Sequence, residues 1–205
     1  GTYLTTKVGK LTTTVNYNYM NQSRKQTENN REDVYDYVKT GEQKREYGIN
    51  STMATIHFGN ISASYEIDSL NLLTASTNFL GYKVDVNTQS TNERWDKNSQ
   101  LIYKFDNNMT TPGYSHLDIG GRLDYQHKTH LDGEMLTLSY MLAATRPHTI
   151  FRQTYSNMVN FPVSYTSYDE NTRERFTEHT FQIDYVRPFG KHHKIESGTK
   201  YILRN

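Results

Sequence analysis

Eight histidines, 22 Asp and Glu residues and 17 tyrosines are the side chains of this 205-residue chain that could do chemistry. The histidines are poorly spaced for a metal. His192 and His193 are adjacent, so on a strand they would point to opposite faces, and they fall in an expected turn. His127 and His130 flank another turn. Surface positions account for them, and no metal site is expected. Glu134, Glu178 and Asp184 could in principle supply the carboxylate pair of a glycosidase, but no spacing singles them out. No nucleophile elbow, phosphate loop or His-Glu-x-x-His motif occurs, so no catalytic residue and no cofactor is expected.

The tyrosines admit three readings: an aromatic girdle at a membrane interface, ordinary filling of strands, or platforms on which a sugar or aromatic ligand stacks. Tyr155, Tyr165 and Tyr168, with Phe151 and Phe161 nearby, best suit the third and are the candidate ligand-binding residues.

The elements that would carry these residues are strands. In 11–20, Leu11, Val15, Tyr17 and Tyr19 alternate with Thr12, Thr14, Asn16 and Asn18, the period of a strand with one apolar face. In 115–127, Leu117, Ile119, Leu123 and Tyr125 alternate with His116, Asp118, Arg122 and Asp124. Asp132-Gly133 marks a hairpin into 134–144, where Leu136, Leu138, Tyr140 and Leu142 share a face. Further strands are expected at 3–8, 51–67, 72–87, 100–105, 177–187 and 193–204. In 51–67 the apolar residues change phase at Gly59-Asn60, which suggests a bulge or a hairpin turn, the bulge being preferred because Asp68-Ser69-Leu70-Asn71 makes the better turn.

Gly9-Lys10, 68–71, 131–133 and 188–192 read as short connections. The segments 21–49, 88–113 and 145–176 read as long loops, the first with extended edges near Val34–Val38. Short turns at one end and long loops at the other are the habit of an outer-membrane barrel. The charges opposite the apolar rows, Arg122, Asp124, Glu196, Lys200 and Arg204, would then face a wet lumen or pair in a filled interior. The expected fold is all-β: an antiparallel up-and-down meander of about eight long strands, part of an outer-membrane β-barrel. The alternative is a soluble β-sandwich or partial-barrel module that binds a ligand such as carbohydrate, with one solvated sheet face.

Bulk composition agrees with strands and excludes several classes. Hydrophobic residues make up 34% and mean hydropathy is −0.85, yet aromatic residues are plentiful and net charge is +1, which argues against disorder. A balanced charge with pI near 8 gives no basic footprint for nucleic acid. No run of 18 apolar residues could form a membrane helix. Cysteine is absent, so disulfide and thiol chemistry are excluded.

Two stretches resemble a known family. One is Leu123-Asp124-Tyr125-Gln126-His127, a turn with Gly133, then Leu136-Thr137-Leu138-Ser139-Tyr140. The other is Gln182-Ile183-Asp184-Tyr185-Val186-Arg187-Pro188-Phe189 followed by Lys194-Ile195-Glu196-Ser197-Gly198-Thr199-Lys200-Tyr201 and Arg204. They resemble the outer-membrane β-barrel family linked to TonB-dependent receptors of Gram-negative bacteria, over about 115–204. The resemblance implies a barrel segment, and the sequence reads as one such segment over 1–205, with no signal peptide or plug domain recognised and Gly1 read as a tag remnant. It implies nutrient binding and uptake in the cell outer membrane, not transport by the segment alone. Implied partners are outer-membrane lipid, the TonB system through absent parts of the parent, and a surface lipoprotein. Oligomers could form through open sheet edges.

Overall fold

The computed structural model describes residues 1–161, 163–189 and 193–205. The strands are β1 (Thr2–Val8), β2 (Leu11–Gln22), β3 (Asn29–Tyr37), β4 (Glu42–Glu66), β5 (Asn71–Trp95), β6 (Leu101–Lys128), β7 (Met135–Val159), β8 (Ser167–Arg173), β9 (Phe176–Phe189) and β10 (His193–Arg204). A one-turn helix, α1 (Arg24–Thr27), interrupts them. All ten strands form one antiparallel sheet in the order β1-β2-β4-β5-β6-β7-β9-β10. β3 pairs with the upper part of β4, and β8 with the upper part of β7, so each continues the line of β2 or β9. The sheet therefore has eight strand lines, the number expected, built from ten strands. It does not close, and β1 and β10 are its edges.

The break between β2 and β3 is stitched by one side chain. The Thr27 hydroxyl accepts from the Thr52 N–H at 2.7 Å and donates to the Thr52 carbonyl at 2.5 Å, standing in for the missing ladder rung.

Register assigns the two faces. One cross-strand row runs Leu4, Val15, Ile61, Thr77, Gly121, Leu142, and the rows beside it carry Leu123, Tyr140 and Phe181, or Leu11, Tyr65, Leu73, Leu138 and Ile183. These residues form an apolar band with nothing packed on it. Leu123 is 45% exposed, Ile183 47% and Ile61 44%, and no hydrophobic residue among those described is fully buried. A sandwich would supply a second sheet to cover this face, and the described residues supply one sheet only. Aromatic rings edge the band. Tyr17, Tyr19 and Phe79 lie toward one margin, and Tyr65, Tyr125 and Tyr185 toward the other. Ten residues of rise tilted by roughly 40° give a band about 25 Å tall, the height of an outer-membrane apolar belt.

The opposite face is polar, and its charges are satisfied locally. Arg122 Nε donates to Asp124 Oδ2 at 2.7 Å, and Ser139 donates to Asp124 Oδ1 at 2.5 Å. Thr145 donates to Asp118 at 2.6 Å, and Arg204 pairs with Glu178 at 2.6 Å. Each pair lies within one strand or between neighbours, as on the wall of a wide wet lumen.

The segments expected to be long loops are strands instead. β4, β5 and β7 each run 25 residues and β6 runs 28, about 90 Å of extended chain. A membrane crossing needs only about 9–11 residues. The remainder projects past the aromatic rows at the end away from the short turns. So the end-to-end asymmetry read from the sequence holds, but it consists of hydrogen-bonded extensions closed by tight turns such as 96–100. The segment 100–105 is not a separate strand. It is the upper part of β6, continuous with 115–127.

Gly59-Asn60 is not a bulge. β4 pairs without interruption through Gly59↔Phe79 and Asn60↔Asn78. The apolar residues change face while the strand stays regular. Below this level Ile61, Ala63 and Tyr65 lie on the apolar band. Above it Ala54, Ile56 and Phe58 lie on the polar side, directly opposite Val84, Tyr82 and Leu80 of β5. β5 changes phase at the same level, from Phe79 to Leu80, so the two strands share a second apolar patch on the inner face. The real irregularity is in β6, in the stretch expected to be loop. Register shifts opposite Val84/Val86 and again between Thr110 and Ser115, with Gly113 at φ +86°. At the other end Gly9, at φ +60°, opens the two-residue turn joining Val8 to Leu11. Of the turn expected at 188–192, Pro188 and Phe189 belong to β9, and Gly190, Lys191 and His192 lie outside the described residues, as does Pro162.

Candidate functional site

The extensions position the candidate tyrosines. β7 places Tyr155 opposite Asn107 of β6, and β8 places Tyr168 opposite Gln153. Tyr155 N–H donates to the Thr166 carbonyl at 2.8 Å, one rung beyond Thr154↔Ser167, so the β7–β8 ladder continues to Tyr155. Alternation puts Phe151, Gln153 and Tyr155 on the face that is polar lower down.

The Tyr155 ring then meets three others. Its centroid lies 4.8 Å from Phe161, 5.5 Å from Phe105 in an edge contact, and 6.0 Å from Tyr165. Phe105 and Phe161 are 4.7 Å apart, and Tyr103 stacks on Phe105 at 5.7 Å. Tyr168 stands apart from this cluster and packs edge-on against Phe151 at 5.8 Å. The structure thus brings Tyr155 and Tyr165 together and places Tyr168 in a second pair, with Phe151, lower on the same β7–β8 hairpin. Phe105 and Tyr103, at the centre of the larger cluster, were not singled out from sequence. Their signal was the odd-position pair in 100–105, which reads as plain strand filling.

Polar groups border the rings. Gln153 Nε2 donates to Asn107 Oδ1 at 3.0 Å, and Tyr168 donates to Glu170 at 3.0 Å. Burial, then the neighbouring Tyr165, push the Tyr155 phenol above its ordinary pKa, and the Glu170 hydrogen bond does the same to Tyr168. Both phenols stay protonated at neutral pH, with the Tyr168 proton already given to Glu170. Tyr165 and Tyr168 are 49% and 47% exposed, open to an arriving ring. Aromatic faces with amide and hydroxyl donors at their edges can hold a ligand that has an apolar face and a polar rim.

A second concavity of about 530 Å³ lies at the tips of the β3–β4 and β5–β6 hairpins, lined in part by Tyr37, Glu42 and Trp95. Arg94 sits 4.6 Å over the Tyr37 ring and pairs with Glu42. The carboxylates considered for catalysis are dispersed. Glu178 and Asp184 are six residues apart on β9, about 20 Å, against roughly 5–9.5 Å for a glycosidase pair. Glu134 lies at the turn before β7, where Thr129 and Tyr185 donate to it.

An open antiparallel sheet, apolar on a band of membrane height and polar with locally paired charges on the other face, is the wall of an outer-membrane β-barrel. Comparison with known proteins agrees over the C-terminal part: residues 127–205 match the model of the outer membrane protein beta-barrel family. No curated protein and no solved structure matches.

Proposed function

We propose that this sheet is part of a TonB-dependent-receptor-like barrel for nutrient binding and uptake, and that Tyr155, Tyr165 and Tyr168 contact the nutrient. The observation that carries this reading is the aromatic cluster on the inner face of the extensions, beyond the apolar band, where a solute from outside arrives first. The sequence resemblance over 115–204 supports the receptor kind. In this reading the segment binds without catalysing and does not transport alone. The TonB system and a surface lipoprotein act through other parts of the parent.

The test uses the parent protein extracted from outer membranes in detergent. It is expected to bind the purified periplasmic domain of TonB and to show saturable binding in an oligosaccharide panel, weakened by Tyr155→Ala and Tyr165→Ala. Failure to bind TonB removes the receptor reading. Binding unchanged in both variants removes the site.

A further inference from the structure

The apolar face carries a belt of unbalanced positive charge where the apolar band ends. The row that holds Tyr19 and His57 continues through Gly81 and Leu117 to Arg146. The next row up runs Lys83, Ser115, His148, Arg173. Between β8 and β9 the pairing with β7 continues unbroken: Arg173 faces His148, Glu174 N–H donates to the Pro147 carbonyl at 3.0 Å, and Phe176 faces Thr145. Arg175 is thereby set opposite Arg146. Arg146 and Arg175 are thus a directly opposed pair of guanidinium groups; beside them Arg173 donates from Nε to His148 Nε2 at 3.3 Å, and Lys83 lies about 10 Å from His148 on the same row. Like charges directly opposed destabilise a sheet unless an anion lies between them.

Higher on this face the charges are balanced. Lys104 pairs with Glu93 at 2.8 Å, Arg45 with Glu32 at 2.7 Å, and Arg152 with Asp169 at 3.8 Å. Lys83, Arg146 and Arg175, all exposed, have no acidic partner among the described residues. Asp85, two residues beyond Lys83, is buried and forms no ion pair with it. Leu117 shares the Arg146 row, and immediately below it lie Ile119, Ala144 and Leu142 of the band. An anion attached to hydrocarbon would meet both the basic belt and the apolar surface beneath it.

We propose that Lys83, Arg146, His148, Arg173 and Arg175 form a binding site for the phosphate groups of lipids in the surface leaflet. Guanidinium forks engage phosphate oxygens, while the acyl chains lie along the band. This rests on the outer-membrane barrel reading, and the experiment separates the two.

The protein, extracted from outer membranes in zwitterionic detergent, is exchanged into phosphatidylcholine nanodiscs. These contain either a diphosphorylated glycolipid or the same glycolipid after phosphatase treatment, and native mass spectrometry measures the lipid retained. The expected result is preferential retention of the phosphorylated form, falling about tenfold in the double variant Arg146→Gln/Arg175→Gln. The Lys pair Arg146→Lys/Arg175→Lys keeps part of it, and Arg152→Gln, above the belt, keeps all of it. Circular dichroism establishes that each variant retains its strand content, and Lys83→Gln/Arg173→Gln serves if the first double variant does not fold. Equal retention of both glycolipids by an inserted protein overturns the proposal and leaves the barrel standing. Displacement of the lipid by equimolar inorganic phosphate shows a free-phosphate site and also overturns it. A protein that stays monomeric without detergent and enters no nanodisc overturns both readings.

Discussion

Lys104 Nζ lies 2.8 Å from Glu93 Oε1 across the β5–β6 ladder, and the Tyr47 hydroxyl reaches the same carboxylate from β4 at 3.3 Å. The Glu93 side chain is almost covered, so its charge depends on these partners. The Lys104 hydrogen bond outweighs burial and holds the Glu93 carboxyl below the usual carboxylate range. A carboxyl whose folded pKa is depressed adds stability that is fully present above its unfolded pKa. That stability is lost as pH falls through the folded value. Hydrogen-exchange protection in 90–106, taken relative to the intrinsic exchange rate at each pH, is therefore expected to fall on acidification below the ordinary glutamate range. In Glu93→Gln that acid-dependent loss should shrink. An unchanged acid profile in the variant would show that Glu93 is not the group responsible.

The apolar band makes a face-specific prediction. Leu123→Arg puts a charge among lipid chains and is expected to cost about 2–4 kcal/mol near the midplane. Ser76→Arg, on β5 opposite Arg122, enters the polar face and is expected to cost far less. Denaturant unfolding in phospholipid vesicles compares them, and equal penalties would mean the faces are wrongly assigned.

Gly113 sits at φ +86° in the β6 irregularity, a conformation that costs an L-residue roughly 1–2 kcal/mol. Gly113→Ala is expected to lower stability by about that amount. The loss should show as faster exchange of amides in 108–116 and in the facing part of β5.

The aromatic cluster separates packing from binding. Phe105→Ala removes contacts with Tyr103, Tyr155 and Phe161 and is expected to loosen the β6–β7 extensions, seen as faster exchange over 101–110 and 150–158. Tyr168→Ala removes the Phe151 contact and the Glu170 hydrogen bond, both outside this cluster, and should leave those amides protected. Each of Tyr155→Ala and Tyr168→Ala is expected to weaken ligand binding roughly two- to tenfold, the worth of one stacked ring, by calorimetric titration.

Alternation by itself determined which residues lie on the membrane face: Leu11 to Tyr19, Leu117 to Tyr125 and Leu136 to Leu142 are legible because lipid on one side and water on the other impose a period of two. The short turns at Gly9-Lys10 and Asp132-Gly133 were legible for the same local reason, glycine tolerating a positive φ. Beyond the membrane both faces meet water, so Thr88 to Thr91 or Asn107 to Thr111 carry no period, and strand reads as loop. Those segments are held by ladder hydrogen bonds to partners far away in sequence, which only the folded sheet supplies. The same sheet decided that the phase change at Gly59-Asn60 is a change of environment shared with β5. It also brought Phe105 to Tyr155 and set Arg175 against Arg146, because register, a property of strand pairs, decides which side chains meet.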